Sequence, residues 1–147
     1  MTETGEAPAD NPFPDAPYVY SYGHRNPQGL IVDATTQSIW MTEHGPKGGD
    51  ELNRIEAGKN YGWPAITYGV DYSGAILSPF TEAPGMEQPV TYWVPSIATS
   101  GLALYTSSAI PSLTGKLLVG GLKAKKVVAV DVSGEKPVLS EPFPDLE

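Results

Sequence analysis

Apolar residues in this chain come in short runs, each closed by Gly, Pro or a small polar cluster. No window of about ten residues keeps the 3.6-residue period of an amphipathic helix. The runs read as strands. Residues 18–22 are aromatic and β-branched. Residues 30–32 and 38–42 flank a polar turn at 33–37, and residues 51–55 alternate apolar with polar as a half-buried strand does. Residues 102–105, 116–119 and 126–132 follow, the last ending on the turn signal Ser133-Gly134-Glu135. Residues 1–17 are small, acidic and interrupted by Pro8, Pro12, Pro14 and Pro17, and they read as a loop.

The pattern predicts an all-β fold. A sandwich or a barrel satisfies it. So does a β-propeller, with four short strands per blade and about 40–45 residues per blade. On that scale 147 residues hold about three blades, with residues 18–147 forming them as one domain. Three blades leave strand edges and one side of the core uncovered, so this would be a partial propeller.

Composition adds limits. Gly (16) and Pro (15) are spread along the chain, which fits many short elements joined by turns. A hydrophobic fraction of 40% supports a packed core. The formal charge of −8 leaves no basic face beyond Lys123, Lys125 and Lys126, which argues against nucleic acid as a partner and suits divalent cations. There is no cysteine, so disulfides and thiolate metal sites are excluded. No apolar run approaches the ~20 residues of a membrane span, and the acidic start shows no signal peptide.

Several segments carry chemistry. Tyr22-Gly23-His24-Arg25-Asn26-Pro27-Gln28-Gly29 sets an Arg fork and an Asn amide at a strand-to-loop corner, where Pro27 and Gly29 would turn both side chains one way. A surface turn is the plain alternative. Thr42-Glu43-His44-Gly45-Pro46-Lys47-Gly48-Gly49-Asp50-Glu51 ends a strand in a Gly-rich loop that closes on two carboxylates. Hard cations take carboxylate and main-chain oxygens, and in an extended chain Asp50 and Glu51 point to opposite sides, so they could serve separate sites. A hairpin turn is again the plain alternative. Gly58-Lys59-Asn60-Tyr61-Gly62-Trp63-Pro64 is a compact aromatic loop. The stretch at 92–101 is a sugar-stacking lip or a core corner, and Gly120-Gly121-Leu122-Lys123 projects one Lys from a strand end.

Taken together, the series GHRNPQG, TEHGPKGGDELN, GKNYGWP, MEQPV-x-YW-x-PSIA-x-SG and LLVGGLK resembles the glucose/sorbosone dehydrogenase family of soluble quinoproteins over about residues 9–143. The resemblance implies a six-bladed β-propeller with pyrroloquinoline quinone (PQQ) over the central channel and a calcium ion beside it. It implies oxidation of an aldose sugar to its lactone by hydride transfer to PQQ, with electrons leaving to an external acceptor. Residue by residue, it implies that Arg25, Asn26, His44, Asp50 and Lys123 contact the cofactor. Gly45 and Pro46 would offer carbonyls to its calcium. Glu51 and the Tyr61 carbonyl would serve a second, structural calcium. Tyr92, Trp93 and Ser96 would line the pocket mouth.

The chain also departs from the family pattern. The family's catalytic histidine lies upstream of GHRN, and neither His24 nor His44 matches it. The family also carries an Arg-x-Arg-Asp element shortly after the position matching the end of this chain, and the stretch from Met1 to Pro14 resembles the family's interior DNPF loop. The resemblance thus implies an internal fragment that is inactive alone, since loss of a general base costs about 10²–10⁴-fold. The longer protein would carry a signal peptide and be periplasmic or secreted. Two other readings stand beside this one. One is a non-catalytic propeller used for binding or scaffolding. The other is a Ca²⁺-dependent lactone hydrolase, in which Asn26, Asp50 and Asn53 would imitate a metal cage.

Overall fold

The computed structural model describes residues 3–144. The first residues of the 1–17 loop and the terminal Asp145-Leu146-Glu147 lie outside the described residues. Among the described residues, eight strands form two antiparallel meanders. The first sheet runs β1 (Pro27–Val32), β2 (Ile39–Glu43), β3 (Asp50–Ile55), β4 (Thr91–Trp93). The second runs β5 (Thr99–Leu104), β6 (Leu117–Gly121), β7 (Lys126–Asp131), β8 (Val138–Ser140), with one 3-10 turn at Pro111–Leu113. Each sheet is a propeller blade in order and pairing.

The β1–β2 turn forms where the polar cluster predicts it. The Asp33 carboxylate accepts the Thr35 N–H at 2.9 Å and the Thr36 hydroxyl at 2.6 Å, an Asx turn that closes the hairpin. Those two bonds hold its carboxyl below the ordinary range, the Thr36 hydroxyl contributing most.

Register assigns each residue of the first sheet to a face. Trp40 pairs with Ile31 and Arg54, and Met41 pairs with Leu30 and Asn53. Period-two alternation then puts Trp40, Thr42, Asp50 and Leu52 on one face, and Met41, Glu43, Glu51, Asn53 and Ile55 on the other. The first face packs on the second blade. Trp40 and Leu52 join Ile97, Leu117, Val119, Val128 and Val130 in one core cluster. Leu52, Leu117, Val119 and Val130 are wholly buried, each contributing about 1.5–3 kcal/mol. Gly29 permits the close approach, since a Cβ there would stand 2.7 Å from Leu102 Cβ. The opposite face packs Met41 and Ile55 on Tyr61, while Leu30 and Val32 on β1 stay 64% and 56% exposed.

Two expectations change, and two strands appear that the sequence did not announce. The strand expected at residues 18–22 does not form. Pro17 lies in a turn closed by Val19 N–H on Ala16 O at 2.9 Å, and only Tyr22 makes a bridge, with Asn60. The length expected to make about three blades makes two four-stranded sheets among the described residues, because residues 56–90 run as turns and loops between β3 and β4. The short strands β4 and β8 carried no pattern that would announce them. Among the described residues no helix is long and apolar enough to cross a membrane.

Candidate functional site at the blade boundary

The predicted corner and the predicted loop meet at one end of the first blade. Arg25 Nη1 donates to Gly45 O at 2.8 Å and to His44 O at 3.2 Å. Asn26 O accepts the His44 N–H at 2.9 Å. The guanidinium carbon lies 5.3 Å from the Trp63 ring centre, so the fork is also held from its flat side. No other guanidinium donor of Arg25 has a partner among the described residues, which leaves the Nε–H and the Nη2 pair free. Gly23, at φ +77°, allows the corner to press against the Tyr61 loop: a Cβ there would stand 2.6 Å from Gly62 N. Gly45 is similarly required, since a Cβ would collide with the carbonyl oxygens of Gly48 and Gly49.

Asp50 and Glu51 diverge as the extended backbone requires. Asp50 is fully buried on the second-blade side. Its carboxylate accepts Gly45 N–H at 3.2 Å, Thr99 N–H at 3.2 Å and the Ser96 hydroxyl at 2.6 Å. It therefore ties the Gly45 loop to the start of β5. His44 strengthens the same seam. Its Nε2 lies 2.6 Å from Thr99 O, and a carbonyl cannot donate, so Nε2 carries the proton and Nδ1 is left as an acceptor or a site for a second proton.

Glu51 faces the other way, into a polar cluster. Asn53 Nδ2 donates to Glu51 Oε2 and to Glu43 Oε1, each at 3.0 Å. His24 Nδ1 lies 3.2 Å from Glu43 Oε1, its Nε2 meets the Ser21 hydroxyl at 2.9 Å, and its ring stacks on Tyr61 at 4.7 Å. Burial pushes Glu51 up to about 7, with Glu43 adding to the rise and the Asn53 bond opposing it. Burial likewise raises the Tyr61 hydroxyl. A pocket bounded by Arg25, Glu43, Gly45, Glu51, Tyr61 and Trp63 leaves about 10 Å³ inside, the size of one water or one ion.

The donor set fits a small hard cation better than any softer ion. Two carboxylates share one amide, and Asn53 Oδ1 is buried without a hydrogen-bond partner, an oxygen a cation would satisfy. No three His, Cys, Asp or Glu side chains among the described residues form a metal-ligand group, so a cation here would draw on amide and main-chain oxygens. Gly45 O already accepts from Arg25 and keeps one lone pair.

Other sequence candidates fall in varied places. Asn26 is exposed and its Oδ1 accepts from Gln28 Nε2 at 3.0 Å, whereas Arg25 is half-buried with its guanidinium on the His44 and Gly45 carbonyls. Lys123 is exposed in the β6–β7 turn, its N–H donating to Ile97 O two residues from Thr99. Its ammonium has no partner among the described residues. Pro46 is buried against Gly69. Ser96 is committed to Asp50, Trp93 packs on the core, and Tyr92, 45% exposed, stacks on Tyr68 at 3.7 Å. The lactone-hydrolase cage does not assemble, because Asp50 and Asn53 sit on opposite faces of β3 and Asn26 is held outside by Gln28. The sequence offered Asn53 only for the lactone-hydrolase cage, and it gave Glu43 and His24 no role. Polar residues falling on the same alternating face as Met41 and Ile55 were the available signal.

Two packed antiparallel meanders with a polar site at one end of their seam define a partial β-propeller. A sequence model of the family Glucose / Sorbosone dehydrogenase matches residues 1–144. The aldose sugar dehydrogenase YliI of Escherichia coli K12 is 44% identical over 142 residues, covering 92% of this chain and 38% of that protein. The crystal structure of the soluble aldose sugar dehydrogenase from Escherichia coli in the apo-form superposes with a TM-score of 0.89 at 43% identity, over 96% of this chain and 42% of that one. The PQQ-bound aldose sugar dehydrogenase from Streptomyces coelicolor gives 0.69 at 33% identity, over 97% and 38%. This chain belongs to the glucose/sorbosone dehydrogenase family. It spans about two-fifths of the length of these relatives.

Proposed function

We propose that the protein oxidises aldose sugars to lactones with PQQ and calcium, and that this chain supplies one wall of the cofactor site and is inactive by itself. The observation that carries the reading is Arg25. Its guanidinium is pinned by two carbonyls and an indole while its remaining N–H groups stay free, an arrangement suited to carboxylate and quinone oxygens. Kinship with a PQQ-bound sugar dehydrogenase supports the choice of ligand.

When bound, PQQ supplies a two-electron acceptor for the anomeric C–H, and calcium supplies polarisation. Arg25, Asn26, His44 and Lys123 would hold the cofactor, with His44 offering Nδ1 and Lys123 its ammonium. Asp50 would act from beneath, fixing the loop that carries His44. Gly45 and Pro46 would present carbonyls to the cofactor's calcium. Glu51, with the Tyr61 carbonyl and Asn53 Oδ1, would take the second cation. Tyr92 would offer an aromatic surface to the sugar. Electrons would pass to an external acceptor, and the longer protein would work in the periplasm or outside the cell.

The test uses the longer protein loaded with PQQ and CaCl₂. Aldose-dependent reduction of a redox dye is expected, and is expected to vanish in Arg25→Ala. Dye reduction absent across several aldoses, in a preparation whose spectrum shows bound PQQ, would overturn the proposal.

A further inference from the structure

We propose that Glu43 is a positioning residue that aims the Arg25 guanidinium by gripping its backbone; this rests on the reading of Arg25 as a ligand-binding group. Glu43 closes β2 and is 4% exposed. The β1–β2 ladder would be open at this end, because Pro27, the residue paired with Glu43, has no N–H to donate. The Glu43 side chain makes up the deficit. Its Oε2 accepts the Arg25 N–H at 2.7 Å, at the short end of the range for an N–H on a carboxylate. Its Oε1 accepts from Asn53 Nδ2 at 3.0 Å and from His24 Nδ1 at 3.2 Å. Its main-chain oxygen accepts the Thr99 hydroxyl at 3.2 Å, which fixes the strand end against the second blade.

Three donors therefore converge on one buried carboxylate, and one of them is the main chain of Arg25. The side chain of Arg25 is fixed separately, by the carbonyls of His44 and Gly45. Held at its backbone by Glu43 and at Nη1 by the next two residues of the same strand end, the guanidinium has one orientation, and its free N–H groups one direction. A glutamine at 43 has the same shape but brings an NH₂ to a site where both oxygens already face donors. One of the three bonds must open, and the corner loosens without loss of packing.

The experiment is a double-mutant cycle with a second readout that needs no ligand. PQQ affinity is measured by fluorescence quenching for wild type, Glu43→Gln, Arg25→Lys and the double variant. The Arg25 Nε–H resonance is followed by NMR in wild type and Glu43→Gln. Glu43→Gln is expected to weaken PQQ about tenfold, the size of one lost charge-assisted hydrogen bond, and to have no further effect in the Arg25→Lys background. Its Arg25 Nε–H signal is expected to shift and broaden. An equal loss in both backgrounds means a general structural role and overturns the proposal. If wild type binds no PQQ, the reading of the site as a PQQ site fails, and the NMR signal decides alone: a moved Arg25 resonance upholds the positioning role, and an unmoved one overturns it. Should Glu43→Gln not fold, Glu43→Asp keeps charge and both acceptors but withdraws them from the Arg25 N–H, and the same two outcomes apply.

Discussion

Asp50 is the residue whose removal should cost most for its size. Its carboxylate, with no exposed surface, is the acceptor for Gly45 N–H, Thr99 N–H and the Ser96 hydroxyl. Asp50→Ala leaves two buried backbone donors without an acceptor, at about 1–3 kcal/mol each, plus the Ser96 hydroxyl, which can rotate to seek another. The total is about 3–5 kcal/mol, or a fall in Tm of about 6–20 °C for a chain of this size. Asp50→Asn should cost less, about 1–3 kcal/mol, because its NH₂ can be placed toward Gly45 alone. Ser96→Ala should cost about 1–3 kcal/mol in wild type and less in Asp50→Ala, where its bond to Asp50 is already gone and only the Ala98 N–H, at 3.1 Å, loses its acceptor. Urea unfolding followed by circular dichroism measures all four. Asp50→Ala within about 0.5 kcal/mol of wild type, or Ser96→Ala fully additive with it, would refute the reasoning.

Three further outcomes can be checked on the same footing. Leu52→Ala, at a wholly buried position between the blades, should destabilise by about 2–5 kcal/mol in urea melts. Tyr61→Phe removes the acceptor of Glu56 N–H at 2.9 Å and a donor to Arg54 O, and should cost about 1–3 kcal/mol. Glu51 titrates near 7 in the fold against an ordinary 4.5, so the folded state holds a proton the unfolded state has released. That stabilisation is complete below about 4.5 and is lost as pH rises through about 7. In calcium-free buffer Glu51→Gln should therefore flatten the decline in urea midpoint across this window; a decline as steep as wild type's would contradict the assignment.

Much of this architecture could be read from the chain before its coordinates. β2, β3, β6 and β7 alternate or run apolar because each buries a face, and burial is what writes a pattern into sequence. β4 and β8 are three residues long and β8 is exposed throughout, so neither leaves one. Residues 18–22 have strand composition but no partner strand, and the turn at Pro17 takes them instead. At the site, Arg25, His44 and Asp50 stood out because Gly and Pro punctuate their loops. Glu43 and His24 did not, and Asn53 was read only as part of a different cage, because their meaning depends on register: Glu43 faces Glu51 across the ladder, and His24 reaches Glu43 from 19 residues away. Cross-strand partners of that kind follow from pairing, which local pattern does not specify.

The most direct measurement is a crystal of this chain soaked with PQQ and calcium chloride. The account predicts density for the tricyclic cofactor against the free Arg25 N–H groups and His44 Nδ1, with Lys123 drawn toward it. Density elsewhere on the molecule, or an Arg25 turned away to bulk solvent with His44 released from Thr99, would contradict it.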